Sequence, residues 1–201
     1  MIVVNIFGGP GIGKTSVATG LFSKIKFATQ DWINHSTVYV PEQIKISPLK
    51  ELQENDYLAE LVLQSHAIYS FVDTGIDVVI TDGSVLLRAI YNPPLTALKQ
   101  LALDRFNHPN VTNLNIILQR VKPFKPKDRY PDVGTEIAAS LLDNFTANFF
   151  EENNIRYMSA PGSEEGITTI YNKIMPFISV RGDRPDAPTD DPVQIFENIF
   201  K

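Results

Sequence analysis

Between Gly8 and Ser16 stand the residues whose chemistry is plainest. Gly8-Gly9-Pro10-Gly11-Ile12-Gly13-Lys14-Thr15 fits the spacing G-x-x-x-x-G-K-[ST] at every fixed position. Glycines let a chain take positive φ and bring backbone N–H groups close to anionic oxygens without a Cβ in the way. A helix opening at Lys14 would add the positive end of its dipole. Gly8 to Ser16 therefore read as a phosphate cradle. Lys14 is expected on the β- and γ-phosphates and the Thr15 hydroxyl on Mg²⁺. Such a loop implies ATP or GTP binding and leaves the reaction open.

Three further groups bear on that reaction. Asp82 follows the apolar run Asp77 to Thr81, where a carboxylate at a strand end can hold the water shell of Mg²⁺. The other role open to Asp82 is a helix N-cap, although Ser84 is the better candidate for the cap. Glu42 lies two residues past the strand Thr37 to Val40. It fits a base that takes the proton of an acceptor hydroxyl, and it fits equally a solvated loop glutamate. Arg120 to Arg129 (RVKPFKPKDR) carries five cationic side chains in ten residues, and its prolines keep it non-helical. A basic lid closing over a triphosphate is the first reading, with Arg120 and Arg129 as the two-pronged phosphate contacts. A solvated basic loop and a patch tracking a nucleic-acid backbone are the alternatives. Gln64 fits either an acceptor pocket or the surface, and His35, His66 and His108 show no metal-ligand spacing.

These residues need a scaffold, and the apolar pattern supplies one. Ile2 to Phe7 reads as a buried parallel strand, and Lys14 to about Lys26 as a helix. Thr37 to Val40 is a second strand. Tyr57 to Val72 follows as a helix whose inner face would carry Leu58, Leu61, Val62, Ser65 and Ile68, closed by Gly75. Asp77 to Thr81 is a strand, Val85 to Ile90 and Leu95 to Phe106 are helices, and Asn113 to Gln119 is a strand. Thr135 to Glu152 is a long helix, Arg156 to Ser159 a last strand and Glu164 to Ile178 a last helix. The alternation predicts an α/β fold: a three-layer sandwich with a central parallel sheet and helices on both faces. With the loop, it predicts the P-loop NTPase type. Residues 1–180 would form this domain, with the basic lid at about 120–131. Residues 181–201 begin as a Pro/Asp-rich linker, and their closing Ile195, Phe196, Ile199 and Phe200 are expected to pack on the body.

Composition sets the outer limits. The chain has 201 residues, 43% hydrophobic and 20% charged, with a net charge of −5 and a pI near 5.2. That bulk charge gives no sign of non-specific nucleic-acid binding, while a local basic groove stays compatible with it. The absence of cysteine excludes disulfides and thiolate chemistry. No leader-like segment precedes the first strand, and no apolar run approaches the roughly 20 residues needed to cross a bilayer. A cytoplasmic protein with no membrane partner is expected.

The stretch IVVNIFGGPGIGKTSVATGLF resembles the opening of small P-loop proteins of tailed bacteriophages. The resemblance continues in Val40-Pro41-Glu42, in Gln64, in Val78 to Tyr91, in Leu118 to Arg129 with the shape L-x-R-x-K-x-(F/Y)-x-P-K-x-R, in Asp143, and in RYMSAPG. It spans about residues 1 to 178. The wider group is similar to the nicotinamide-riboside kinase domain and to deoxynucleoside kinases, and includes phage kinases acting on 5-hydroxymethyluridine within DNA. The resemblance implies a nucleoside/nucleotide-kinase-like fold, Glu42 as base, and Arg120 and Arg129 on phosphate. It also implies a host-cytoplasm location. Gly83-Ser84 and Tyr130-Pro131 depart from the group's usual Ser-Pro and Asn-Gln, both near the acceptor.

The expectation is a kinase using ATP and Mg²⁺, its acceptor the 5-hydroxymethyl group of a modified pyrimidine in DNA. A free deoxynucleoside or nucleotide kinase is the runner-up. An ATPase switch and a non-catalytic nucleotide sensor are the rivals of other classes. The sequence does not give the oligomeric state.

Overall fold

The run Ile2–Phe7 is strand β1, and it occupies the middle of a five-stranded parallel sheet. The computed structural model describes residues 1–33, 35–43, 56–91, 95–121, 136–181 and 191–200. Strand β1 pairs with β3 (Val78–Thr81) on one side and β4 (Thr112–Gln119) on the other. Strand β2 (Thr37–Val40) flanks β3, and β5 (Met158–Pro161) flanks β4, so the order is β2-β3-β1-β4-β5. The helices are α1 (Lys14–Ala28), α2 (Tyr57–Tyr69), α3 (Leu87–Tyr91), α4 (Thr96–Phe106), α5 (Glu136–Glu152), α6 (Glu164–Arg181) and α7 (Pro192–Ile199).

Alternation along β1 divides the interior in two. Ile2, Val4 and Ile6 face a core shared with Leu21 and Ile25 of α1, Ile170 and Ile174 of α6, and Ile195 and Ile199 of α7. Val3 and Phe7 face the opposite core, with Leu61 of α2, Ile90 of α3, Ala102 of α4 and Phe150 of α5. This is the period-2 pattern of a strand buried on both faces. Helix α1 leads from β1 to β2 across one face, and α2 leads from β2 back to β3 across the other. Helix α1 after β1 and helices α3 and α4 after the neighbouring β3 therefore lie on opposite faces. A crevice opens there, at the carboxyl ends of the strands, where open α/β sheets take ligands.

Most boundaries agree with expectation to within a residue or two. The inner face of α2 does not. Leu61, Gln64, Ser65 and Ile68 are buried, while Leu58 and Val62 are each 54% exposed. The helix is turned so that polar Gln64 faces inwards. It also stops at Tyr69, and turns carry the chain past Asp73 (φ 61°) and Gly75 (φ 83°). Strand β5 runs to Pro161 rather than ending at Ser159. It is the edge strand, where a residue lacking N–H is tolerated. Helix α6 passes through Pro176 and continues to Arg181. The closing segment docks on the body as expected, with Ile195 and Ile199 buried and Phe196 against Phe177 at 5.3 Å between ring centroids. Among the described residues no helix is long and apolar enough to cross a membrane.

Candidate active site

The glycine-rich loop leaves β1 at Phe7 and delivers the chain into α1. Gly8, Gly11 and Gly13 take φ of 135°, 79° and 108°. Gly13 occupies the N-cap position in the left-handed region, and no side chain caps the helix. The Ile12 side chain is buried in the core, so this residue anchors the loop and contributes only backbone to its concave side. Lys14 is 8% exposed, and its Nζ donates to the carbonyls of Gly8 at 2.6 Å and Gly9 at 3.2 Å. From α3 the half-buried Tyr91 donates its hydroxyl to the same Gly8 carbonyl at 3.0 Å. Burial holds that phenol well above its ordinary pKa, so it serves as a donor.

Asp82 is 1% exposed at the end of β3 and gathers three donors. The Thr15 hydroxyl donates to Oδ2, while Tyr39 Oη at 2.9 Å and the Glu42 backbone N–H at 3.1 Å donate to Oδ1. Burial, reinforced by the Asp82 charge and its hydrogen bond, raises the Tyr39 pKa and keeps its proton in place. Asp82 is no helix cap. Ser84 Oγ accepts the Leu86 N–H at 3.3 Å in the turn that leads into α3. The two oxygen groups expected to serve Mg²⁺ are therefore neighbours.

Glu42 stands beside them and is not a solvated loop residue: its side chain is 13% exposed. Its Oε1 accepts from Arg88 Nη2 at 3.1 Å, and Arg88 Nε lies against Glu60 of α2. Burial raises the pKa of Glu60; Arg88 opposes that shift, and the Glu42 and Asp56 charges add to it. Gln64, 6% exposed, accepts the Gln43 N–H at 2.7 Å. Glu42, Glu60, Gln64, Gly83 and Arg88 line a small cavity of ≈ 10 Å³. Gly83 is needed there, since a Cβ on it would lie 2.6 Å from Cα of Glu42.

Arg120 closes the other side of the loop. Its Nε and Nη2 meet Asp143 Oδ2 at 3.0 and 2.9 Å, and Nη2 also donates to the Pro10 carbonyl at 3.1 Å. Asp143 Oδ1 accepts the Gly9 N–H at 2.5 Å. Arg129 and the rest of the basic segment beyond Val121 lie outside the described residues, as do Tyr130 and Pro131.

A larger cleft of ≈ 490 Å³ opens at the opposite, amino end of the strands. Asn113 and Asn115 of its lining serve the fold. Asn5 Nδ2 donates to Asn113 Oδ1 at 2.9 Å, Asn113 to the Phe106 carbonyl at 2.7 Å, and Asn115 to the Arg156 carbonyl at 3.0 Å.

The structure thus brings Lys14, Thr15, Asp82, Glu42 and Arg120 to one crevice. Sequence reasoning passed over Tyr39, Glu60, Arg88 and Tyr91, and gave Asp143 no role. Two of them left a trace: Arg88 is the one cation in VLLRAIY, and Asp143 the one acid between Glu136 and Glu151. Compared with protein-family models and with curated proteins, the chain matches none.

Proposed function

We propose that the chain is a P-loop kinase that transfers the γ-phosphoryl group of ATP to a hydroxyl. One observation carries this reading. The Asp82 carboxylate accepts hydrogen bonds from Thr15 of the loop and from the Glu42 backbone, tying a candidate base to the phosphate cradle through a single side chain. A kinase would use Glu42 on the proton of an acceptor hydroxyl, whereas a hydrolytic switch would use it on water, and the fate of the label separates the two.

Lys14 and the loop amides would hold the β- and γ-phosphates, with Arg120 beside them. Thr15 and Asp82 offer hard oxygen donors of the number Mg²⁺ takes from protein when phosphate and water complete its shell. When bound, Mg²⁺ supplies charge neutralisation on the transferring group. Glu42 would accept the acceptor's hydroxyl proton as its oxygen bonds to phosphorus and the bond to ADP breaks. Most of the rate gain would come from alignment and fixed charge.

The cavity beside Glu42 suits a hydroxyl group rather than a ring. This fits an acceptor whose hydroxymethyl arm enters while its base stays outside. With the basic segment and the resemblance to phage kinases, it favours 5-hydroxymethyluridine in DNA, a step in thymidine hypermodification. A free deoxynucleoside or nucleotide is the second acceptor class. The test uses γ-labelled ATP, Mg²⁺ and a panel of deoxynucleosides, deoxynucleotides, nicotinamide riboside, plain DNA and DNA containing 5-hydroxymethyluridine. Label in the modified DNA alone is the expected result. Label in a free nucleoside overturns the DNA acceptor and keeps the kinase. Label released only as inorganic phosphate overturns the kinase.

A further inference from the structure

Helix α5 is fixed to the strand that launches the loop. Phe150 meets Phe7 edge to face at 4.8 Å between centroids, and Phe7 immediately precedes Gly8. Ala139, Asp143, Thr146 and Phe150 recur at spacings of three and four, so the packing that buries Ala139, Thr146 and Phe150 also turns Asp143 inwards. The approach is close enough to dictate a residue type. A Cβ on Gly9 would lie 2.5 Å from the Ala139 carbonyl oxygen and 2.7 Å from Asp143 Oδ1. Gly9 is a glycine because α5 passes over it.

Asp143 uses this position to grip two groups at once, the Gly9 N–H through Oδ1 and the Arg120 guanidinium through Oδ2. The carboxylate and the Pro10 carbonyl engage Nε and Nη2 of Arg120. Nη1 is buried and has no hydrogen-bond partner among the described residues. A buried N–H left without an acceptor is costly, and a guanidinium fixed on two of its nitrogens presents the third in a defined direction. Lys14 Nζ lies on the carbonyls of Gly8 and Gly9, so both cations border Gly8 to Pro10.

We propose that Asp143 is a positioning residue, which holds Arg120 at the rim of the loop so that Nη1 meets the terminal phosphate of a bound nucleoside triphosphate. The proposal rests on the nucleotide-site reading above, but needs no acceptor and no turnover. A diphosphate lacks the group that Nη1 addresses, so Asp143 sets the preference for triphosphate over diphosphate.

Calorimetric titration of the full chain with MgATP and with MgADP tests this. Asp143→Asn keeps an oxygen for the Gly9 N–H and removes the charge that orients Arg120. It is expected to reduce the ATP-to-ADP affinity ratio about tenfold, the scale of one charge-assisted hydrogen bond. Arg120→Gln is expected to do the same, and the double variant no more than either alone. ADP affinity near wild type shows that each variant is folded. Equal losses of ATP and ADP affinity in Asp143→Asn overturn the proposal, because Asp143 then only braces the loop. An unchanged ratio in Arg120→Gln overturns it as well, even if Asp143→Asn does not fold. A wild-type chain that binds ATP while the ratio ignores both variants leaves the nucleotide site standing and removes the role of Asp143. A wild-type chain that binds neither nucleotide overturns the site reading, and this proposal with it.

Discussion

The two walls of the crevice between β1 and β3 are made of different material. On the loop wall the geometry is set by backbone: three glycines at positive φ, an uncapped helix start at Gly13, and carbonyls of Gly8 and Gly9 that seat Lys14. On the facing wall it is set by side chains, with Glu42 and Glu60 on either side of Arg88, and Gln64 holding the turn after Glu42 through the Gln43 N–H. Phosphate is the same group in every nucleotide, so a fixed array of N–H groups suffices to hold it. An acceptor differs from one kinase to the next and has to be met by side chains. Asp82 joins the walls, taking a hydroxyl from one and a backbone N–H from the other.

If the walls divide the work in this way, damage to each should look different. Lys14→Ala is expected to have the largest effect, a loss of about 10²–10³ in phosphoryl transfer, because the buried cation proposed to hold the phosphates is removed. Initial rates with labelled ATP check it, and a variant retaining a tenth of wild-type rate would break the loop half of the comparison. Glu42→Gln comes next. It should leave MgATP affinity within about twofold of wild type and lower transfer by about 10²-fold, the usual worth of a positioned base. Weakened ATP binding in this variant would mean that the walls are not separable.

Gly83→Ala probes the seam itself. The added methyl would lie 2.6 Å from Cα and 2.8 Å from Cβ of Glu42, so Glu42 must move. Small displacements of a reacting group are expensive in rate, and a drop of about tenfold in transfer with unchanged ATP affinity is expected. Unaltered transfer would show that the position of Glu42 is not critical.

The contrast between the walls also explains what the sequence made legible. A backbone-built site leaves a signature in residue type and spacing, since glycine, lysine and threonine at fixed offsets have few other reasons to occur between a strand and a helix. Lys14 and Thr15 stand out in the sequence for that reason, Asp82 because it follows an apolar strand, and the alternation of strands and helices because of its hydrophobic period. The acceptor wall is assembled from β2, α2 and α3, whose relative rotation no local pattern specifies. Leu58 and Val62 fit an apolar stripe by spacing, yet tertiary packing turns them out and Gln64 in. Arg88 draws no attention in the sequence, and its place shows only with Glu42 and Glu60 on either side of it. The last strand is expected to end at Ser159 and runs to Pro161, because an edge position that tolerates proline is a property of the sheet, not of the segment.

The smallest expected effect separates the walls by pH. On the facing wall burial raises the Glu60 pKa, with Arg88 opposing and Glu42 and Asp56 assisting. The folded chain therefore holds the Glu60 proton more tightly than the unfolded chain. The contribution is fully present below the ordinary carboxylate pKa and is lost as pH rises through the raised value, because the folded state binds more protons in that interval. Glu60→Gln cannot titrate, so melting temperatures of wild type and variant, measured from pH 4 to pH 7, should diverge, with wild type losing ground as pH rises. The sign is set by the balance of burial against the Arg88 charge, with burial the larger of the two. Parallel curves would show that Glu60 titrates normally and that Arg88 fully offsets its burial. A divergence of the opposite sign would show the ion pair to outweigh burial, and would recast the acceptor wall as a charge cluster stabilised in its ionised form.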